Sequence, residues 1–79
     1  MTKTMTLKDI KPGNCYRVDA IDAGDPAVQR LMVLGLVEGA ELKLASAAIG
    51  GDPIELHLYG ISVSLRREHA RHFTVSALA

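Results

Sequence analysis

The sequence predicts a small, mainly β domain: a partly open barrel of about five strands with one inserted helix. Most of the chain consists of short segments in which apolar and polar residues alternate, as in strands with one buried face. One segment in the first half instead carries apolar residues three apart, as a helix does. A chain of 79 residues has room for one hydrophobic core, so residues 1–79 are predicted to form a single domain.

The first predicted elements lie before residue 22. Leu7 and Ile10 are spaced like one helical turn, and Lys-Pro-Gly-Asn at residues 11–14 predicts a tight turn. Residues 15–21 then alternate as a strand, with three predicted inward side chains: Tyr16, Val18 and Ala20. We expect the core to span about residues 7–75 and both ends, residues 1–6 and 76–79, to be mobile.

The inserted helix is predicted at about residues 26–34. Asp25 suits the N-cap, because its carboxylate can accept hydrogen bonds from unpaired backbone N–H groups, and Pro26 suits the first helical position. The predicted core side of this helix carries Val28, Leu31 and Leu34. Gly35 follows as a predicted C-cap with positive φ, a conformation in which glycine has no Cβ to clash.

The second half of the chain predicts strands separated by turns. Residues 50–53, Gly-Gly-Asp-Pro, form a predicted turn, Gly60 is a break, bulge or tight turn, and residues 66–71 form one helical turn with Ala70 inward. The predicted inward side chains of the strands alternate with polar ones and are Leu42, Leu44, Ile54, Leu56, Leu58, Ile61, Val63, Leu65, Phe73 and Val75.

The charge distribution argues against nucleic acid and anionic lipid as partners. Nine acidic and nine basic residues give a formal net charge of zero. The basic cluster of Arg66, Arg67 and Arg71 is interrupted by Glu68 and has no interleaved aromatic residues for base stacking. We interpret this cluster as a solvated face; a contact with an acidic protein surface is the alternative, because arginine pairs bidentately with carboxylates.

Cysteine content and hydropathy indicate a cytoplasmic location. Cys15 is the single cysteine and cannot form an internal disulfide, which fits a reducing compartment. The first residues lack the apolar run of a signal peptide, and no segment approaches the roughly 20 apolar residues that span a bilayer. We therefore predict no direct membrane insertion, so any membrane association comes through a partner.

The sequence predicts no catalytic residues, and the chain is not expected to be an enzyme. Asp52, His57, Ser62 and Ser64 contain the atoms of a catalytic triad, but they occupy alternating, solvated positions of a hairpin. Nucleophilic catalysis needs a base and an orienting acid fixed around the nucleophile, and no elbow-like motif surrounds either serine.

The candidate metal ligands are dispersed, and we predict neither a metal site nor a cofactor. The candidates are the three histidines, Cys15 and nearby carboxylates: His57, His69, His72, Cys15, Glu55 and Glu68. His69 and His72 are three apart, but His72 begins a predicted strand, which turns the two imidazoles away from each other. A metal site needs three or four convergent ligands with supporting hydrogen bonds.

The segment from residue 31 to residue 40 contains more aliphatic side chains than a small core can bury. If the helix turns Leu31 and Leu34 inward, its other apolar residues remain near the surface, and contiguous exposed apolar surface is typical of a partner site. We predict a partner surface that contains Met32, Val33, Leu36 and Val37. The alternative is that Leu36 and Val37 cover an open end of the barrel and bind nothing.

Four motifs in order resemble the FeoA family, the small cytosolic partners of a bacterial ferrous iron transporter. The central one is Arg30-Leu31 with Leu34-Gly35-Leu36 and Gly39, followed by a strand. The others are Leu7 with Ile10-Lys11-Pro12-Gly13, then Gly51-Asp52-Pro53-Ile54-Glu55, and Ser64-Leu65-Arg66-Arg67-Glu68-His69-Ala70. The resemblance covers about residues 7–75.

This resemblance implies an SH3-like barrel and a non-enzymatic accessory role. The implied partner is a ferrous iron transporter, a membrane protein with a GTP-binding domain, on whose cytosolic part the chain docks. The turn that contains Asp52 and Pro53 is a second candidate for the docking surface. The alternative function is that of a metal-responsive regulatory domain, similar to the SH3-like C-terminal domain of iron-dependent repressors.

Overall fold

The computed structural model describes residues 5–47 and 52–78, and its main feature is an antiparallel sheet. Within these residues six strands pair in the order β1-β6-β2-β3-β4-β5. The strands are β1 (Met5–Thr6), β2 (Cys15–Ile21), β3 (Glu41–Ala47), β4 (Ile54–Leu58), β5 (Ile61–Leu65) and β6 (Phe73–Ala77). The described residues also form two helices, α1 (Pro26–Val33) and α2 (Arg67–Ala70), and a 3-10 helix (Leu7–Asp9).

The mainly β fold with one inserted helix is confirmed, with one strand more than the five expected. The additional strand is β1, in which Met5 pairs with Val75 and Thr6 with Thr74. Strand β6 continues to Ala77. Strand pairing therefore reaches two residues beyond each end of the predicted core, residues 7–75.

The two edges of the open sheet approach each other through short helices rather than through strand pairing. The 3-10 helix follows β1 and α2 follows β5, which are the two edge strands. The Arg67 guanidinium donates a hydrogen bond from Nη2 to the backbone carbonyl of Lys8 across 3.3 Å. This arrangement is the partly open barrel that the sequence predicts.

The core is aliphatic, as predicted, and contains one fully buried aromatic ring, that of Phe73. Alternation along β3, β4 and β6 correctly identifies the inward residues of those strands. Tyr16 is the other buried aromatic residue, and its hydroxyl accepts a hydrogen bond from the Lys11 N–H across 3.0 Å. That bond connects the turn before β2 to a side chain of the core.

Two strand residues predicted to face inward are exposed, and each has a local cause. The pairing of β2 with β6 shifts register between Val18 and Ala20, so a bulge interrupts the alternation. Ala20 is exposed as a result, and Ile21 packs against the core instead. Ile61 begins the edge strand β5 beside the hairpin turn and is half exposed.

Helix α1 begins as predicted. The Asp25 carboxylate accepts a hydrogen bond from the Ala27 N–H across 2.8 Å, and Pro26 occupies the first turn. Val28 and Leu31 are buried, which confirms two of the three residues assigned to its core side.

The structure at the end of α1 differs from the prediction for the third residue, Leu34. Gly35 has φ of 114°, so the predicted positive φ is confirmed. Its N–H donates to the Met32 carbonyl and the Leu36 N–H donates to the Leu31 carbonyl, over 3.0 and 3.2 Å. These two bonds form a Schellman motif, in which the residue after the glycine packs against the last turn of the helix.

The Schellman motif buries Leu36 and exposes Leu34, which is the reverse of the prediction. Leu36 turns back toward Leu31 and is 0% exposed, whereas Leu34 is 50% exposed. The prediction of a buried Leu34 is therefore wrong, and so is that of a surface Leu36.

The β4–β5 connection is a two-residue turn, with φ of 51° at Tyr59 and 84° at Gly60. Two consecutive residues with positive φ are typical of tight hairpin turns. The predicted turn at residues 50–53 lies partly outside the described residues, which resume at Asp52.

Candidate functional site

Exposed large apolar side chains group at the end of α1 and at the β4–β5 turn. Val33 is 86% exposed and Tyr59 is 73% exposed, and Leu34, Val37 and Ile61 are partly exposed. We call these five residues the apolar surface. Helix geometry explains the exposure of Val33, because this residue lies about 200° around the helix axis from the buried Leu31.

Gly35, in the segment that follows α1, lies close to the end of β4. A Cβ atom at Gly35 would lie 3.5 Å from Cδ2 of Leu58. Leu58 in turn precedes the turn at Tyr59 and pairs with Ile61. Exposed apolar residues gathered in this way are typical of an interaction site.

A groove of about 270 Å³ adjoins the apolar surface through Leu34. One wall consists of helix residues: Ala27, Arg30, Leu31 and Leu34. The other wall consists of the end of β5 and the start of α2: Ser64, Leu65, Arg66 and His69. Three leucines give the groove an apolar lining.

The polar groups that line this groove are predominantly basic. Arg66 forms a long salt bridge with Asp52, with 3.8 Å between Nη1 and Oδ2, and both side chains are substantially exposed. Among the described residues, no carboxylate lies within 4 Å of Arg30. The groove therefore combines an apolar lining with positive charge.

The predicted partner residues occupy different environments. Val33 and Val37 lie on the apolar surface, as expected, and Met32 is half buried and packs against the core. Asp52 instead makes an internal contact, since its Oδ1 accepts a hydrogen bond from the Arg67 N–H across 3.1 Å at the start of α2. Pro53 beside it is exposed.

Sequence reasoning missed Leu34, Tyr59 and Ile61 as members of the apolar surface. A signal for Leu34 was available, because a glycine C-cap directs the following residue inward and so frees the preceding one. Tyr59 continues the outward alternation of β4 and lies in the turn, whereas the exposure of Ile61 results from its place at the start of the edge strand β5.

The arginines of the basic cluster make contacts within the chain. Besides the pairing of Arg66 with Asp52, Arg67 binds the Lys8 carbonyl, and the Arg71 Nε donates to the Glu68 carbonyl across 3.2 Å. These contacts fit the interpretation of the cluster as a solvated face.

The histidines near α2 face different carboxylates. Nε2 of His69 is 4.0 Å from Oε1 of Glu68, and Nδ1 of His72 is 3.5 Å from Oδ2 of Asp22. Within residues 5–47 and 52–78, no three His, Cys, Asp or Glu side chains are placed to hold a metal ion together.

From this geometry we expect the isolated chain to bind zinc or ferrous ions only weakly, because two separated histidines cannot supply the three or four ligands of a stable site. Isothermal titration calorimetry under anaerobic conditions measures the affinity. A site of micromolar or higher affinity that is lost in the His69→Ala/His72→Ala double variant would contradict this and favour the metal-responsive alternative.

No helix in the described part of the chain is long and apolar enough to cross a membrane. No curated protein matches the chain in a sequence search.

Comparison with family models and solved structures gives consistent results. The FeoA domain model matches residues 5–77. The solution structure of a FeoA protein from Chlorobium tepidum is 45% identical, with a TM-score of 0.85 over 95% of this chain and 71% of that chain. A FeoA-like protein from Clostridium acetobutylicum is 33% identical, with a TM-score of 0.86 over 100% of this chain and 92% of that one.

A third structure bears on the fold class. The crystal structure of a zinc complex of Stenotrophomonas maltophilia FeoA, a procaryotic SH3 domain protein, is 26% identical, with a TM-score of 0.79. The match covers 91% of this chain and 89% of that one. The SH3-like fold expected from the sequence motifs is therefore confirmed.

Proposed function

Because the chain belongs to the FeoA family, we propose that it is a non-enzymatic interaction module that assists a ferrous iron transporter by docking on its cytosolic part. The proposed partner is a membrane protein with a GTP-binding domain. The chain works on the cytoplasmic side of the membrane and changes the assembly or gating of the transporter by binding. Support comes from a relative, since the S. maltophilia protein has been suggested to act as a bacterial ferrous iron transport activating factor.

The observation that carries this proposal is the apolar surface. A domain with a small core gains stability by burying leucine and valine side chains, yet among the described residues five large apolar side chains remain exposed, near the end of α1 and at the β4–β5 turn. A partner that covers Val33, Leu34 and Tyr59 would remove this apolar area from water, which is the main favourable contribution to protein association.

Replacing Val33 with Asp tests the docking role. We expect the variant to remain folded, because the side chain at residue 33 is largely in solvent. Docking should weaken at least about tenfold, since an unpaired carboxylate would be desolvated at an apolar contact. The measurements are a thermal melt and co-purification of the tagged chain with the transporter from detergent-solubilised membranes.

The matched control is Asn14→Asp, which adds the same charge at an exposed turn residue away from the apolar surface. It should co-purify like the wild type. If Val33→Asp is folded and also co-purifies at the wild-type level, the apolar surface is not the docking site. If the wild-type chain itself fails to co-purify, the proposed function is wrong.

A further inference from the structure

We propose that the free edge of β5 receives an extended segment of the partner as an added strand, and that this segment alternates acidic and apolar residues. This inference rests on the proposed docking function and specifies the chemistry of the partner segment. Three independent features support it: an unpaired strand edge, an apolar groove beside that edge, and positive charge at the groove.

Strand β5 is the last strand of the sheet, so one of its edges has no neighbouring strand among the described residues. The two-residue turn makes Leu58 and Ile61 a hydrogen-bonded pair, and hydrogen-bonded and non-hydrogen-bonded pairs alternate along an antiparallel ladder. Ser62 and Ser64 therefore occupy non-hydrogen-bonded pairs and direct their backbone N–H and C=O groups away from β4. A peptide strand can bind such groups by β-augmentation.

The groove lies next to this edge, between β5 and α1. Ser64 and Leu65 form part of one wall, and Leu31 and Leu34 form part of the other. Successive side chains of a strand point to opposite faces. Every second side chain of an added strand would thus enter the apolar groove, while the residues between them would share the outer face of β5 with Ser64.

Charge complementarity favours acidic residues at these intervening positions. Ser62, Ser64 and Arg66 alternate along the chain toward the outer face, and Arg30 approaches the groove from α1. Within residues 5–47 and 52–78, the Arg66 guanidinium pairs only with the exposed Asp52, across 3.8 Å. A carboxylate on that outer face would give Arg66 a bidentate partner.

The same charges disfavour a second copy of this chain as the occupant. Pairing of two β5 edges would bring two copies of Arg30 and Arg66 to one interface, and like charges placed together oppose association. The acidic–apolar segment is therefore the better fit.

The first measurement uses the full chain and a synthetic nine-residue peptide of alternating glutamate and valine, which represents the partner segment. We expect saturable binding by fluorescence anisotropy that weakens as salt is raised. Amide hydrogen exchange at Ser62 and Ser64 should slow when the peptide binds, because their N–H groups then donate to the added strand. A lysine–valine peptide is the control and should not bind.

Methylated peptides separate strand addition from a simple charge contact. Opposite residues of an antiparallel pair share a face, so the glutamate N–H groups of the peptide face β5 and the valine N–H groups face solvent. N-methylation of the glutamates should weaken binding at least about tenfold through lost backbone hydrogen bonds. N-methylation of the valines should have little effect. Equal affinities for the two methylated peptides would overturn strand addition.

The arginine contribution is tested with Arg66→Gln and with Lys43→Gln as the matched control. Lys43 is exposed on β3 and does not line the groove. Arg66→Gln should raise the peptide dissociation constant about two- to fivefold, the range for an exposed ion pair. Lys43→Gln should leave it unchanged. Equal effects of both variants would show that only net charge matters and would overturn the assignment.

The outcomes distinguish this inference from the proposed function. If the chain co-purifies with the transporter but the glutamate–valine peptide neither binds nor protects Ser62 and Ser64, the inference is wrong and the docking function stands. If Ser62 and Ser64 become protected as the concentration of the chain alone is raised, a second copy occupies the edge, which also overturns the inference.

Discussion

Leu36→Asp is expected to unfold the domain. Leu36 is fully buried in the core, so the substitution removes an apolar side chain and places an uncompensated carboxylate among aliphatic residues. Loss of a buried leucine alone costs about 2–5 kcal/mol. With the buried charge added, the loss reaches the whole free energy of unfolding of a small domain, about 5 kcal/mol. Circular dichroism and a thermal melt at neutral pH measure the result.

Leu34→Asp is the matched control, two residues earlier in the chain. Leu34 is half exposed beside the groove, so its replacement can direct the carboxylate into solvent and the domain should remain folded. The periodicity of the helix taken alone predicts the opposite result, in which Asp at residue 34 destabilises the domain more than Asp at residue 36. An unfolded Leu34→Asp variant together with a folded Leu36→Asp variant would mean that the Schellman motif does not form.

Gly35→Val is expected to lower the melting temperature by about 10 °C. The φ of Gly35, 114°, lies in a region that L side chains rarely adopt, and a β-branched residue is the least tolerant. Strain of this kind costs about 2 kcal/mol or more. In a domain of this size, 1 kcal/mol corresponds to roughly 4–8 °C of melting temperature.

Gly24→Val is the comparison, because Gly24 has no positive φ. A Cβ atom at Gly24 would lie 3.7 Å from Oδ1 of Asp22, an ordinary van der Waals contact. Differential scanning calorimetry should show a large decrease in melting temperature for Gly35→Val and a small decrease for Gly24→Val. Identical melting temperatures would remove the conformational argument for Gly35.

Several features of the fold were predictable because their causes are local in sequence. The cap at Asp25, the positive φ at Gly35 and the turn at Gly60 depend on the hydrogen bonds and steric limits of a few adjacent residues. Alternation in β3, β4 and β6 identified buried residues because the period of a strand fixes which face each side chain occupies. Four sequence motifs also sufficed to indicate the FeoA family.

Errors arose where one residue changed a local period. The bulge between Val18 and Ala20 reversed the faces at the end of β2. The Schellman motif reversed Leu34 and Leu36, although the glycine that causes it had been identified. In both places the residue types fit the predicted element, but the side chains after the irregularity face the opposite way from the prediction.

The sequence by itself determined the SH3-like fold class, the helix with its caps and the aliphatic faces of most strands, since each depends on interactions between near neighbours in the chain. Only the tertiary structure decided which apolar residues stay exposed and where the candidate site lies. The groove joins residues at α1 to residues of β5 and α2 that are at least 30 positions away in the chain, and the free edge exists because, in the part of the chain that the structure describes, β5 pairs only with β4. Such proximities result from the order in which strands pair, and no periodicity within one segment contains that order.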